Sequence, residues 1–288
     1  MTLKVYTDPV EFLKITEAIL LKNEAENNLL LGVLACVIAG QYPGKLPFMA
    51  HLENKSNHNL VMMCNPPYPV VFAFHENIPE KQLLEKVLLS LADYLGDDFT
   101  GITANKELSA ALVNLWQEIK GIPATINTAM RIYKLENVIP VEGVPGMMRP
   151  AEKGDESMLL DWFAGYTREA IHEEPDPIRI GRKINRILTA DPGLQGLMLW
   201  EVNDIPVSMA GYSGPTPNGM RVGMVFTPKG IRCSGYASAC TAGVSQHLLD
   251  RKYRFCFLYT DLHNPTTNKI YQQIGYRPVC DVDRYDFF

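Results

Sequence analysis

The chain has 288 residues, 47% of them apolar and 20% charged, with a formal net charge of −5. That length suits two domains, each able to bury its own core, and the composition excludes a disordered chain. The acidic balance, without any basic run, argues against nucleic acid as a partner, and the longest apolar run, Leu29 to Gly40, falls short of the roughly 20 residues that span a bilayer.

The N-terminus, Met-Thr-Leu-Lys-Val-Tyr-Thr-Asp, lacks the charged start and apolar stretch of a signal peptide. Helices are predicted over Glu11 to Ala39, with Asp8-Pro9 as the start signal. Strands follow at Phe48 to Glu53, Asn59 to Cys64 and Pro69 to Phe74. Leu83, Leu84, Val87, Leu88 and Leu91 recur at helical spacing within Pro79 to Leu95. A strand at Phe99 to Thr103, a helix at Lys106 to Ile119 and a strand at Met130 to Leu135 close the first half. Asn137 to Pro150 then holds three prolines and two glycines. It reads as a linker, which sets domains at 1–140 and 146–288.

Beyond it, a helix runs through Met158, Leu159, Trp162 and Phe163, and a second from Ile178 to Leu188. Leu197 to Val202 and Pro206 to Ser213 form a hairpin around Asn203-Asp204. Val222 to Thr227 is the next strand. The loop Lys229 to Ala237 and a long helix lead into the strand Phe255 to Thr260, then Asp261 to Pro265, a shorter helix ending at Tyr276, and final strands from Arg277 to Phe287. The six cysteines are scattered without a C-x-x-C, which fits reduced thiols in a cytoplasm and no zinc site.

A glycine-bearing loop between a strand and a helix is a physical anion site, because backbone N–H groups and the positive helix end point outward. Here the N–H groups of Cys233 to Ala237 are the expected donors, Gly235 lets the backbone approach closely, Arg232 adds a fixed charge, and Ser234 and Ser238 add hydroxyls. Cys233, beside Arg232 at a helix start, has two readings: a reactive thiol that bound ligand shields, or an inert one that tolerates serine.

The order strand, Arg-x-x-Gly-x-Ala loop (Arg232 to Ala237), helix, strand, Asn264-Pro265, helix, Tyr271-x-x-x-Gly275-Tyr276 resembles the coenzyme-binding half of the GNAT acetyltransferase superfamily. The resemblance implies an α/β (α+β) fold with two GNAT-like domains. Each would be a mixed, mostly antiparallel sheet flanked by helices, with splayed parallel strands at the coenzyme site of the second. It implies acetyl-CoA as co-substrate, no metal, and a small-molecule amine or amino acid as acceptor, the domain plan being similar to glycine N-acyltransferase-like proteins. The main chain of Val225, Phe226 and Thr227 would bond the coenzyme arm as an added strand. Asn264 and Asn268 would contact the coenzyme, and Tyr271 would protonate the leaving thiolate. Loop positions depart from the family at Cys233, Ser234 and Tyr236-Ala237. The general base stays open among Glu201, Asp261 and His172-Glu173-Glu174; His247 reads as structural. The oligomeric state stays open too.

The two halves repeat one order of elements, yet the first has only His75-Glu76-Asn77-Ile78-Pro79-Glu80 where the loop would be, with no glycine and two carboxylates. It is expected to be a degenerate copy without coenzyme binding. A non-catalytic acyl-CoA-binding regulator is the alternative to the enzyme.

Overall fold

The structure, a computed structural model, describes residues 2–41, 45–53, 59–75, 78–121 and 123–287. In chain order its elements are β1 (Thr2–Tyr6), α1 (Pro9–Leu20), α2 (Asn28–Ile38), β2 (Phe48–Glu53), β3 (Asn59–Cys64), β4 (Val70–His75), α3 (Lys81–Leu95), β5 (Gly101–Asn105), α4 (Lys106–Lys120) and β6 (Ala124–Leu135). These are followed by β7 (Met147–Pro150), α5 (Glu156–Tyr166), α6 (Pro177–Thr189), β8 (Gln195–Val202), β9 (Ile205–Pro215), β10 (Gly219–Phe226), α7 (Tyr236–Asp250), β11 (Phe255–Asp261), α8 (Pro265–Gln273) and β12 (Arg277–Phe287). The chain forms two compact units, and it passes from one to the other within β6, after Ile132.

The first unit holds the chain up to Ile132 together with Tyr259–Asn264 and the segment from Pro278. Its strands β1 to β4 pair antiparallel in sequence, and β4 meets β5 in parallel only at Val70↔Ile102 and Val71↔Thr103. Apolar faces of α3 and α4 cover one side through Leu84, Leu88, Leu91, Leu112 and Trp116; α1 and α2 cover the other through Phe12, Leu20, Leu30 and Leu34. Asp8 caps α1 by accepting from the Val10 N–H at 2.8 Å, with Pro9 at the first helical position. The N-terminal residues, read from sequence only as lacking a signal peptide, form β1 as a partner of β2.

The C-terminal strand departs from the linear division at 146–288. Residues Val282 to Asp286 pair antiparallel with β5, so the chain's end belongs to the first unit. The physical reason is aromatic: Phe287 stacks on Trp116 at 5.2 Å and meets Phe99 edge-on at 5.3 Å.

The second unit holds Tyr133–Leu258 and Pro265–Arg277. Strands β7, β8, β9 and β10 pair antiparallel in sequence, and β10 joins β11 in parallel. Three antiparallel partners followed by a parallel crossover repeat the order of β1 to β5, so the duplication read from sequence is present in the strand pairing. The end of the supposed linker is not loose: Met147 to Pro150 form β7, in register with Glu201 to Met198. On one face Tyr212, Met220 and Val222 of the strands pack with Leu248 of α7, Tyr271 of α8 and Tyr276. On the other, Leu159, Phe163, Ile184 and Ile187 of α5 and α6 pack on Leu199 and Met209.

Candidate functional site

Strand β10 carries the site's geometry. Its parallel register with β11 covers Gly219↔Phe255, Met220↔Cys256 and Arg221↔Phe257, and among the described residues it goes no further. From Val222 onward β10 therefore has a ladder on its β9 side only. The β9 register slips between Gly223 and Phe226, where Met224 takes a left-handed φ of 54°. This is a β-bulge, and it changes the phase of the strand. Met220 and Val222 pack on the α7 side, whereas Met224 and Phe226 pack against α5 and α6.

Val225, Phe226 and Thr227, expected to bond a coenzyme arm, form the open end of this strand. The Phe226 carbonyl accepts from Ser208 Oγ at 3.1 Å, and the buried Thr227 hydroxyl pairs with the same Ser208 at 2.8 Å. That inner partner fixes the strand end without using its outer edge.

Past Thr227 a short 3-10 turn, Lys229–Ile231, leads to Gly235, the N-cap of α7. Gly235 has φ of 80°, and a Cβ there would meet Val144 Cγ2 at 2.7 Å; only glycine fits. Helices α1, α4 and α6 are capped by the side chains of Asp8, Asn105 and Asp176, whereas α7, like α2, α3 and α5, has no side-chain cap. Its first intrahelical bond runs from the Ala239 N–H to the Gly235 carbonyl. The N–H groups of Tyr236, Ala237 and Ser238 precede it and have no helical acceptor, the arrangement an anion completes.

Cys233 and Ser234 are exposed, and Cys233 takes a left-handed φ of 65°. Arg232 donates from Nε to the Thr227 carbonyl at 2.7 Å, stands over the Phe226 ring, and reaches Glu169.

Tyr271 lies on α8, 9% exposed and edge-on to Tyr276 at 6.1 Å. Burial pushes its phenol well above the usual range, and nearby Tyr166 adds to the effect. Its hydroxyl makes no hydrogen bond among the described residues, unlike that of Tyr276, which pairs with Ser245 at 2.9 Å. Asn268, one turn earlier, accepts from Tyr133 at 2.9 Å. Asn264 belongs to the first unit, its N–H on the Asp261 carbonyl at 3.1 Å.

Of the groups weighed as base, Glu201 accepts from Arg149 at 2.6 Å, and the same guanidinium forks onto Asp155. That is a structural clamp between β7, β8 and the start of α5. Asp261 accepts from the His263 N–H at 2.8 Å. His172 is exposed, and Glu173 pairs with Arg179 at 3.4 Å. His247 lies beside Tyr212, and burial lowers its pKa.

Two residues passed over in the sequence stand against the bulge. Tyr166 ends α5 with the Met224 backbone close to its oxygen; burial raises its pKa, and that backbone pulls it back. Lys183 of α6 holds its ammonium 5.1 Å from the Phe163 ring and 5.7 Å from the Tyr166 ring. The signal for Lys183 was its place three residues after Ile180 and four before Ile187, on the apolar stripe.

In the first unit the corresponding strand gap is closed. Side chains of Asn27 and Leu30 leave a cavity of only about 20 Å³ beside Val71, Ala73 and Thr103, room for about one water. Helix α3 begins after Glu80, and Glu76 and Asn77 of that connection lie outside the described residues.

Among the described residues no cluster of three or more His, Cys, Asp or Glu is placed to hold a metal, and no helix is long and apolar enough to cross a membrane. No family model matches the sequence, and no curated protein matches it significantly. Solved structures do. An acetyltransferase of the GNAT family from Colwellia psychrerythraea is 11% identical with a TM-score of 0.60, covering 100% of both chains. A tandem GNAT protein from the clavulanic acid biosynthesis pathway is 12% identical with a TM-score of 0.61, over 100% of this chain and 98% of its own. A Drosophila protein, 11% identical, has a TM-score of 0.65 over 99% and 98%. The chain has the GNAT fold in a two-domain plan.

Proposed function

We propose that the protein is an acetyl-CoA-dependent N-acetyltransferase whose second unit is catalytic and whose first unit is a copy without coenzyme binding. One observation carries this reading: β10 loses its parallel partner after Arg221, bulges at Met224, and ends at a helix N-terminus with unfilled donors. An acyl-CoA fits that set. The N–H groups of Tyr236, Ala237 and Ser238, with Arg232, Cys233, Ser234 and Gly235, suit its pyrophosphate, and the free edge of Val225 to Thr227 suits its amide-bearing arm. Asn268 is the further coenzyme contact in this reading.

The coenzyme supplies an activated acyl thioester. The chain's part is to hold that thioester beside the bulge, admit a neutral amine, and give a proton to the sulfur as the carbon–sulfur bond breaks and the carbon–nitrogen bond forms. Tyr271 suits the last task, because its ring is buried and its hydroxyl makes no hydrogen bond among the described residues. The dry surroundings that raise its pKa also raise the basicity of a thiolate released there, which keeps donor and acceptor matched. The acceptor is an amine of a small molecule or amino acid.

Acetyl-CoA should raise the melting temperature of the whole chain with dose, and an amine panel should release free thiol from it. Binding without turnover on any amine would favour an acyl-CoA-binding regulator, and no binding would end both readings.

A further inference from the structure

Two cations stand unpaired on the α5–α6 face of β10. Arg221 is the last residue in register with β11. Side chains alternate along a strand; Met220 and Val222 pack on the α7 side, so Arg221 is directed to the opposite face, toward Tyr166. Its Nη1 is buried and has no hydrogen-bond partner. Lys183 sits on the Phe163 and Tyr166 rings with no carboxylate in ion-pair contact among the described residues. Its neighbour Arg179 already holds Glu173. Both residues are partly buried, and a protein seldom takes cations out of water without counter-charges. Two that both act on Tyr166, the residue against the bulge, mark a place where a negative group arrives from outside.

We propose that Arg221 and Lys183 bind a carboxylate carried by the acceptor, so that the substrate class is amines bearing a carboxylate, amino acids among them. This rests on the acetyltransferase reading above. The guanidinium supplies a planar fork for the carboxylate and the ammonium a point charge. Between them they would orient the amine toward the bulged strand, where the thioester is placed.

The test uses the product side and needs no turnover. N-acetyl amino acids and their uncharged amides are titrated against the whole protein loaded with CoA, by calorimetry and thermal shift. At least one acid should bind about 10- to 100-fold more tightly than its amide, the range for charge-assisted hydrogen bonds. Lys183→Met and Arg221→Met should each abolish the preference, and Lys183→Arg should retain it. A second measurement needs no variant: an acid, but not its amide, should protect Lys183 from reductive methylation read by mass spectrometry. Equal binding of acids and amides, a preference that survives both methionine variants, or protection by CoA alone overturns the proposal. Loss of the acetyl-CoA thermal shift itself would instead overturn the coenzyme site, so the two failures are told apart.

Discussion

Glu169 Oε2 lies 2.9 Å from Arg232 Nη2, and its other oxygen is 3.8 Å from Lys229 Nζ. A carboxylate from the single π-helical turn after α5 thus holds the cations that a coenzyme phosphate would use. The partners are about a third exposed or more, so the contact is worth about 1 kcal/mol or less, and a doubly charged phosphate competes well against it. Glu169→Gln should therefore tighten acetyl-CoA binding by up to about fivefold, most clearly at low salt. Calorimetry across a salt series checks this; weaker binding would mean that Glu169 positions Arg232 rather than competing for it.

Gly235→Val should remove the acetyl-CoA thermal shift. The added Cβ meets Val144 at 2.7 Å, and the φ of 80° strains any L-residue, together costing about 1–2 kcal/mol or more. The melting temperature without ligand reports that structural cost. A variant that still responds to acetyl-CoA like the wild type would remove the loop from the site.

Tyr271→Phe should lower turnover by about 10²-fold, the lower range for a lost acid, while coenzyme affinity stays close to wild type because the ring remains. Burial holds the phenol above its ordinary range, so the rate should show no alkaline fall near pH 10 that the variant lacks. Wild-type turnover in Tyr271→Phe would return the residue to a packing role beside Tyr276.

Local signals made most of this fold legible. The leucine spacing of α3, the Asp8-Pro9 start and the Asn203-Asp204 turn each act within one or two turns of chain. Gly235 was legible for the same reason, since its φ is set by its own loop. The capture of β12 by the first unit was not, because it depends on Phe287 finding Trp116, a contact across most of the chain. The bulge at Met224 was hidden as well: its sequence is an ordinary apolar strand, and only pairing with β9 exposes the extra residue. Arg221 lies one residue before the strand expected at Val222 to Thr227, and only the pairing with β11 places it in β10.

Lys183 offers a stability test. Burial pushes its ammonium down to about 8 from an ordinary 10.5, with Arg186 and Arg179 adding to the effect and Glu173 opposing it. The folded pKa is the lower one, so the unfolded chain binds more protons between those values, and stability rises with pH through that window. Below about pH 8 the penalty stands in full. Lys183→Met keeps the stem on the rings and removes the charge. It should raise the melting temperature at pH 7, by up to about 3 kcal/mol of stability, with the gain fading between pH 8 and 10.5. A variant less stable than wild type at pH 7 would show that the charge supports the fold.

Cys233 should be the fastest cysteine toward an alkylating reagent, and CoA should shield it. It is exposed in the loop, whereas Cys64, Cys240 and Cys256 are buried. Burial pushes the Cys64 thiol up to about 11 and those of Cys240, Cys256 and Cys280 up to about 12, so these four offer little thiolate at pH 8. Cys36 is partly buried and serves as the internal comparison. Labelling with iodoacetamide, followed by mass spectrometry with and without CoA, should show Cys233 modified first and slowed about tenfold or more by saturating ligand. The serine variant should lose the label and keep coenzyme binding, because the loop's donors are backbone N–H groups. Labelling of Cys233 that proceeds at the same rate with CoA bound would place the pyrophosphate elsewhere.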